Sequence, residues 1–326
     1  MKPFIPILLL LLSTMKPIHA ATWETLPPLP EPNGGCIAGC VGGKLVLAGG
    51  TAWRDGVKHW LDKVWVFDPA TTRWSAGPAL AHPLAYAAFA SDGDRLYFAG
   101  GADGTRGRRE VAALDADGKL SPTGELPQPV VFAGGALQGG VLCVFGGTSD
   151  PDDWTKVTRE LHAVSLADGK TAPLALLTAL PHGVGIPAMA AAGGGLFVFT
   201  GAWLAPGEEQ VRNVAAAFRH DRAANAWRAI APYPYAARGV SAVALDDRRI
   251  YLAGGYGTDE EGFLAAAFLY DTQTDRYTAA RPLPFAALTC LVKCGEFIYA
   301  LGGEDAKKQR AAACFRIRGA DLLAEK

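Results

Sequence analysis

The chain has 326 residues, half of them hydrophobic, so it can bury a large core. Its 31 basic and 32 acidic residues are intermixed and give a formal net charge of −1. Proteins that hold nucleic acid or an anionic membrane surface usually need a field of positive charge. We therefore expect no nucleic-acid partner.

The first twenty residues have the pattern of a secretory signal peptide. Lys2 gives a basic start, an apolar stretch covers 4–12, and the segment ends at Ala20, a small residue. The stretch is too short to span a bilayer, and no cysteine near Ala20 would accept a lipid. We predict a signal peptide over 1–20 and an exported mature chain over 21–326, periplasmic or secreted, with no membrane span.

Six short apolar runs, each ending in a glycine doublet or a near equivalent, recur along the mature chain. They are 45–50, 96–101, 141–147, 196–201, 250–255 and 297–303. From Gly50 onward their last glycines are 51, 46, 54, 54 and 48 residues apart. This period is typical of the blades of a kelch-type β-propeller. The repeat predicts an all-β, six-bladed propeller that forms a single domain over 21–326.

The C-terminal blade has three predicted strands, around 288–293, 297–301 and 313–317. The residues after them show no convincing fourth strand. Residues 22–30 carry the aromatic residue and the Leu-Pro steps that mark a fourth strand elsewhere in the chain. We therefore expect the N-terminal strand to complete the C-terminal blade and close the ring, so that no sheet edge is exposed.

The six cysteines lie in or beside strand-like segments, at positions 36, 40, 143, 290, 294 and 314. Buried free thiols are the favoured interpretation, and an exported chain leaves disulfides as the alternative. Cys36 and Cys40 are four residues apart, as are Cys290 and Cys294, which puts the members of each pair about 13 Å apart along a strand. Neither pair is expected to bridge internally.

The loops after the doublets are expected to share one face of the ring with the connections between blades. Loops on a rigid scaffold commonly carry binding residues. Five aromatic residues fall in these loops: Trp53, Trp60, Trp154, Trp203 and Phe263. Several flat rings on one rim favour a sugar or a small polar ligand, and the alternative is that they pack loop against loop.

Glu304 and Arg310 stand at the two ends of the loop after the sixth doublet. A carboxylate at the lip of a channel is suited to proton transfer, and an arginine opposite it is suited to a substrate carboxylate. The alternative is an ordinary loop salt bridge, which is common and weak.

Signals for a metal or a nucleotide are weak. The histidines and cysteines lack zinc spacing, and residues 150–153 resemble a calcium loop only loosely, so a solvated loop is the favoured interpretation. The glycine doublets end blade strands and do not open a helix, as a phosphate-binding loop would. We expect no metal and no cofactor.

The segment 302–310, with the strand after it, resembles the Gly-Glu loop of the N-acetylneuraminate epimerase (sialic acid mutarotase) family. In that family the Glu is the proton acceptor and an arginine follows six residues later, as Glu304 and Arg310 do here. Residues 49–60 and the pair Ala85 and Tyr86 resemble another blade of the family, especially of its cyclically permuted branch. The similarity covers most of the chain in blade order, with the start shifted round the ring.

The resemblance implies a role for five residues. Glu304 would be the catalytic residue, Arg310 and also Arg238 would orient the anionic group of the substrate, and Trp53 and Trp60 would form stacking walls.

The sequence departs from the family pattern in three places. Gln309 replaces a glycine and Ala311 replaces a threonine, while residues 182–187 lack an arginine that the family would place there. Arg238 is either a substitute for that arginine or a structural arginine of the repeat.

The leading hypothesis is an exported isomerase, a mutarotase that interconverts anomers of N-acetylneuraminate or a related small sugar by proton transfer. The alternative is a non-catalytic kelch propeller that binds a glycan or a protein partner on the same face. A copper-radical oxidase of the galactose oxidase kind ranks last, because its Tyr, His and Cys ligands cannot be assembled from this sequence.

Overall fold

The computed structural model describes residues 22–322, so the predicted signal peptide lies outside the described residues. Two short 3-10 turns, Trp154–Lys156 and Gly319–Leu322, accompany the strands in that part of the chain. In chain order the strands are β1 (Glu24–Thr25), β2 (Ile37–Val41), β3 (Lys44–Ala48), β4 (Thr51–Arg54), β5 (Val57–Trp60), β6 (Val64–Asp68), β7 (Arg73–Ala76), β8 (Ala88–Ser91), β9 (Leu96–Ala99), β10 (Glu110–Leu114), β11 (Leu120–Glu125), β12 (Gly134–Gln138), β13 (Val141–Phe145), β14 (Glu160–Ser165), β15 (Thr171–Leu176), β16 (Ala188–Ala192), β17 (Gly195–Phe199), β18 (Ala202–Trp203), β19 (Arg212–Asn213), β20 (Ala217–Asp221), β21 (Ala226–Ile230), β22 (Ser241–Ala244), β23 (Arg249–Ala253), β24 (Ala267–Asp271), β25 (Arg276–Ala279), β26 (Leu288–Cys294), β27 (Phe297–Glu304) and β28 (Ala311–Arg318).

Six antiparallel four-stranded sheets form the blades of a β-propeller. The first five blades are β2-β3-β6-β7, β8-β9-β10-β11, β12-β13-β14-β15, β16-β17-β20-β21 and β22-β23-β24-β25, and the sixth is β26-β27-β28-β1. The first strand of every blade lines the central channel. The predicted all-β, six-bladed fold is confirmed.

The ring closes through the N-terminal strand, as the sequence predicts. Strand β1 pairs antiparallel with β28, with Glu24 opposite Arg316 and Thr25 opposite Phe315. The Arg316 Nε donates to the Glu24 carboxylate over 2.6 Å, and the Leu26 N–H donates to the Cys314 carbonyl over 2.9 Å. The outer edge of β28 is therefore covered by the other end of the chain.

The hydrophobic core lies between neighbouring blades. In β3, Val46 packs in a cluster with Phe98 of the second blade, whereas Leu47 packs in a cluster with Leu301 of the sixth blade. This alternation follows from the strand period of two, which sends successive side chains to opposite faces of the sheet. Each blade is thus stabilised from both sides, and closure of the ring completes the last interface.

A disulfide crosses the interface between the first and sixth blades. Cys40 in β2 is bonded to Cys294 in β26, with their Cα atoms 5.2 Å apart. The interpretation of all six cysteines as free thiols is therefore wrong for these two, because ring closure makes β2 and β26 neighbours. Free thiols remain at 36, 143, 290 and 314, and neither pair of cysteines spaced by four bridges internally.

Removal of this disulfide should lower stability without changing the fold. The bond joins residues 254 positions apart, and a cross-link that closes so long a loop typically contributes about 4 kcal/mol. We expect the Cys40→Ala, Cys294→Ala double variant to melt well below the wild type, and a reductant to lower the melting temperature of the wild type alone. A wild-type melting temperature that does not respond to reductant would contradict the bond.

Two of the loops after the glycine doublets are short hairpins. Strands β4 and β5 pair with each other in the first blade, and β18 and β19 pair in the fourth. These hairpins extend from the ring on the face where the sequence places the binding residues. Between residues 22 and 322, no helix has the length and apolar character that crossing a membrane requires.

Candidate functional site

The central channel contains a cavity of about 750 Å³. Glycine and alanine, many of them from the first strands of the blades, are the commonest residues of its wall. At the mouth, the lining includes the polar side chains of Tyr86, Glu304 and Arg310. The sequence predicts two of these three as site residues.

Glu304 and Arg310 meet at the mouth. The Arg310 Nη1 lies 3.0 Å from the Glu304 Oε2, and the Arg310 side chain is only 5% exposed, whereas that of Glu304 is 33% exposed. Glu304 ends β27 and Arg310 immediately precedes β28, and a turn in which the Gln309 N–H donates to the Ala306 carbonyl brings the two together. The pair is a salt bridge, which is the alternative interpretation of the sequence. It also lines the channel cavity.

Three hydrogen bonds hold the Arg310 guanidinium in place. Its Nε donates to Thr51 Oγ1 over 3.2 Å, its Nη1 to the Gln309 carbonyl over 2.9 Å, and its Nη2 to Tyr86 Oη over 3.4 Å. These bonds engage three of the five N–H groups of the guanidinium, and Nη1 also lies within ion-pair distance of the Glu304 carboxylate. In this geometry Arg310 positions Glu304, and most of its hydrogen-bonding capacity is already used within the protein.

Tyr86 is the mouth residue that sequence reasoning did not select as a site residue. Its Oη lies 3.3 Å from Thr51 Oγ1, and its ring centroid is 4.8 Å from the Lys58 Nζ. Burial alone would raise the pKa of the Tyr86 phenol, but the Lys58 and Arg310 charges outweigh it, so that the pKa is lowered. The phenol is therefore a stronger acid than an ordinary tyrosine.

The backbone of Tyr86 belongs to a hydrogen-bonded girdle around the mouth, formed by Gly35, Tyr86, Phe132, Ile186 and Gly239. Their φ angles are +72°, +60°, +63°, +51° and +66°. Going round the mouth in this order, the N–H of each residue from Tyr86 onward donates to the carbonyl of the preceding girdle residue. The four N···O distances are 2.8, 3.0, 2.7 and 3.4 Å. A left-handed conformation at a residue with a side chain costs about 1 kcal/mol, so the girdle holds Tyr86 in a defined, strained position.

Trp60 and Trp53 lie on the rim outside the cavity lining. The Trp60 ring meets Tyr86 edge-on at 5.6 Å, and it also covers Gly104 in the next blade, where an added Cβ would lie 2.7 Å from the indole. The ring centroid of Trp53 lies 5.8 Å from the Nζ of Lys308, which belongs to the loop of the sixth blade. Both indoles pack between loops, which is the alternative role that the sequence left open.

Arg238 also lies at this rim and outside the cavity lining. Its Nη1 donates to Asn213 Oδ1 over 2.9 Å, and its guanidinium lies 4.4 Å above the Tyr256 ring. Burial lowers the pKa of Arg238, and the nearby Tyr256, Asp259 and Glu304 oppose that effect. Arg238 is thus close enough to Glu304 to add positive charge to the same mouth.

The acidic loop of the third blade is occupied by contacts within itself. Lys156 Nζ lies 3.0 Å from Asp150 and 3.2 Å from Asp153, and Asp153 accepts the N–H of Thr155 at the start of a 3-10 turn. Across the described part of the chain, no group of three or more His, Cys, Asp or Glu side chains is placed to hold a metal ion.

Comparison with known proteins identifies the repeat. Residues 34–81 match the Kelch motif family, and this segment contains the whole of the first blade. The mouse protein named Kelch-like protein 35 is 29% identical over 181 residues, which is 55% of this chain and 28% of that protein. This chain therefore matches less than a third of the length of that protein.

Proposed function

Since the chain is a six-bladed kelch-repeat propeller, we propose that it is a sugar mutarotase that acts at the mouth of its central channel. One observation carries the proposal. The Glu304 carboxylate faces a cavity of about 750 Å³ and is fixed there by the buried Arg310 guanidinium. A positioned, partly exposed carboxylate beside a space of that size can accept a proton from a bound hydroxyl.

The reaction requires two proton transfers. Glu304 removes the proton of the anomeric hydroxyl, the bond between the anomeric carbon and the ring oxygen breaks, and a carbonyl group forms. The ring oxygen takes a proton in the same step. After rotation of the open chain, the reverse sequence closes the ring as the other anomer, so no cofactor is consumed.

The charges at the mouth favour an acidic sugar such as N-acetylneuraminate. Arg238 and Lys58 supply positive charge around Glu304. Trp60 and Trp53 frame the entrance, where a sugar face can contact their edges. These residues would orient the substrate, and Glu304 would perform the chemistry.

The test is two-dimensional exchange NMR on N-acetylneuraminate and on a neutral aldose. We expect the protein to accelerate exchange between the α and β anomers, and to act more strongly on the acidic sugar. Unchanged exchange for both sugars would exclude the mutarotase.

A binding propeller without catalysis is the second candidate. The observation in its favour is that Arg310 is already paired with Glu304, Thr51 and Tyr86, as a purely structural arginine would be. In that case the rim would hold a glycan or a protein, and a sugar that binds would show shifted resonances without faster anomer exchange.

We also propose that the protein works outside the cytoplasm, in the periplasm or as a secreted protein. Residues 1–20 have the pattern of a signal peptide. The Cys40–Cys294 disulfide supports this location, because such bonds persist in oxidising compartments. N-terminal sequencing of the protein from its native host should start at Ala21, and an intact Met1 would contradict export by this route.

A further inference from the structure

We propose that Tyr86 is the general acid of this site and that it delivers the second proton to the ring oxygen of the sugar. This assignment rests on the proposed function for its catalytic part. The acidity of Tyr86 itself is independent of that function and has its own test.

The hydrogen bonds around the phenol show how its proton is held. Thr51 Oγ1 donates its own proton to the Gly34 carbonyl over 3.0 Å, so its oxygen acts as an acceptor for Tyr86 and for Arg310 Nε. Arg310 Nη2 in turn donates to Tyr86 Oη. The phenol O–H therefore points to a weak neutral acceptor, from which it can turn towards a bound sugar.

Arg310 connects the acid to the base. Glu304 contacts Nη1 and Tyr86 contacts Nη2 of the same guanidinium, and both side chains line the channel cavity. One rigid, planar group therefore sets the spacing of the two oxygens. A proton donor and a proton acceptor held in this way suit a reaction that adds one proton and removes another at neighbouring oxygens of one ring.

The fold positions Tyr86 before any ligand binds. Its φ of +60° is fixed by the girdle, in which its N–H donates to the Gly35 carbonyl over 2.8 Å and its carbonyl accepts from Phe132 over 3.0 Å. The ring centroids of Trp60 and Phe132 lie 5.6 and 4.8 Å from the ring centroid of Tyr86. Among the five girdle residues, only Tyr86 carries a proton that it can donate to a ligand.

The proton balance closes over one cycle. On ring opening, Tyr86 gives its proton to the ring oxygen while Glu304 takes the proton of the anomeric hydroxyl. The phenolate that remains is stabilised by Lys58 and Arg310, which are the charged groups that face it. On closure, the phenolate takes the proton back from the ring hydroxyl as that oxygen attacks the carbonyl, and Glu304 returns its own proton.

The first test is a spectrophotometric titration of phenolate absorbance in the wild type and in Tyr86→Phe. We expect the difference between the two curves to show one tyrosine that titrates below the ordinary value of 10. Lys58→Met should move that transition to higher pH. Tyr97→Phe is the control, because burial raises the pKa of Tyr97 and its loss should leave the low transition in place. A Tyr86 transition at or above 10 would overturn the assignment.

The second test is anomer exchange by the same variants. We expect Tyr86→Phe to slow exchange by about 100-fold or more, since a general acid typically contributes that much, with Tyr97→Phe unchanged. If the wild type exchanges sugars and Tyr86→Phe does so equally well, Tyr86 is not the acid and the proposed function stands. If the wild type exchanges none, the proposed function fails while the titration result keeps its meaning.

The interface between the first and sixth blades also contains two free cysteines, Cys36 and Cys290. Cys36 and Cys290 each lie four residues before Cys40 and Cys294, the two cysteines that form the disulfide. Because β2 and β26 belong to neighbouring blades and run in the same direction, the equal offsets bring Cys36 and Cys290 together. A hydrogen bond to Cys36, and then burial, raise the pKa of the Cys290 thiol, and both residues line the channel cavity.

We infer that Cys36 and Cys290 form a second disulfide across the same interface when a small disulfide oxidant enters the channel. Each thiol loses one proton and one electron. The oxidant, oxidised glutathione, is reduced to two thiols by exchange through a mixed disulfide. Because the thiolate is the attacking species, the raised pKa of Cys290 makes the reaction slower at neutral pH than at alkaline pH.

Tryptic mapping tests this pairing. Trypsin cuts after Lys293, which separates Cys290 from Cys294, whereas no lysine or arginine lies between Cys36 and Cys40. After treatment of the folded protein with oxidised glutathione, we expect the Cys290 peptide to be joined to the Cys36 peptide, with Cys143 and Cys314 still alkylated. The Cys40→Ala, Cys294→Ala variant should form the same bond, which rules out exchange with the existing disulfide. A Cys290 peptide that stays alkylated or carries glutathione alone would overturn the inference.

Discussion

Glu304→Gln should slow anomer exchange by about 100-fold or more, because it removes the base and keeps the shape of the side chain. The amide oxygen can still accept from Arg310 Nη1, which lies 3.0 Å from the wild-type carboxylate, so the mouth keeps its geometry. Melting temperature should fall, because the buried Arg310 guanidinium loses its charged partner, so exchange is compared at a temperature where both proteins are folded. The measurement is the exchange rate of N-acetylneuraminate at equal protein concentrations.

Glu296→Gln is the matched control for that variant. Glu296 forms a surface ion pair with Arg318 over 2.8 Å, with both side chains more than half exposed. It lies at the opposite end of the last blade's hairpin, so its amide should leave exchange unchanged. Exchange that persists at the wild-type rate in Glu304→Gln would remove Glu304 from the catalytic role.

Gly50→Ala should destabilise the propeller by more than 3 kcal/mol. Gly50 has a φ of +100°, and a Cβ added there would lie 1.7 Å from the Asn33 side-chain oxygen. Asn33 is itself fixed, because its Nδ2 donates to the Gly49 carbonyl over 2.7 Å. A methyl group therefore meets both backbone strain and a collision with a side chain that is held by this hydrogen bond.

Gly56→Ala separates the two effects. Gly56 also has a positive φ, +75°, but no atom lies within 4 Å of an added Cβ. Only the cost of placing a residue with a Cβ in the left-handed conformation should remain, which lowers the free energy of unfolding by about 1 kcal/mol. Urea denaturation of both variants gives the comparison, and equal losses at the two positions would show that the close approach at Gly50 does not limit the fold.

The architecture could be predicted because it repeats. The last glycine of each run lies at or near the end of a second strand, where an added Cβ would come within 3 Å of a neighbouring atom, so one steric requirement recurs six times in the sequence. The closing strand could be predicted for a similar reason. The last blade has only three strands and the N-terminal strand belongs to no other blade, so in a closed ring the two must pair. Strand bounds in the last blade differ from the prediction by a few residues only.

The disulfide was missed although its signal was present. Cys40 and Cys294 lie in the first strands of the first and last blades, which ring closure makes neighbours. Spacing along the sequence relates each of them only to a cysteine four residues away on the same strand, where a bridge is impossible. Which cysteines can pair in a closed ring depends on which blades are neighbours. The predicted ring closure makes the first and sixth blades neighbours, and this is what brings Cys40 to Cys294.

The candidate site was predictable in part. Glu304 and Arg310 stand out because one short loop fixes their separation. Tyr86 does not, because its importance comes from a left-handed backbone and from contacts with Lys58 and Arg310, which arrive from the first and sixth blades. The roles of Trp53 and Trp60 also depend on loop packing, which the repeat pattern leaves undetermined.

A crystal structure of the protein soaked with N-acetylneuraminate tests the central claim most directly, namely that the channel mouth is a proton-transfer site for a sugar. We predict density at the mouth, with the anomeric hydroxyl within hydrogen-bond distance of Glu304 and the ring oxygen near Tyr86. Density on the rim tryptophans alone, with the Glu304–Arg310 pair unengaged, would contradict the claim.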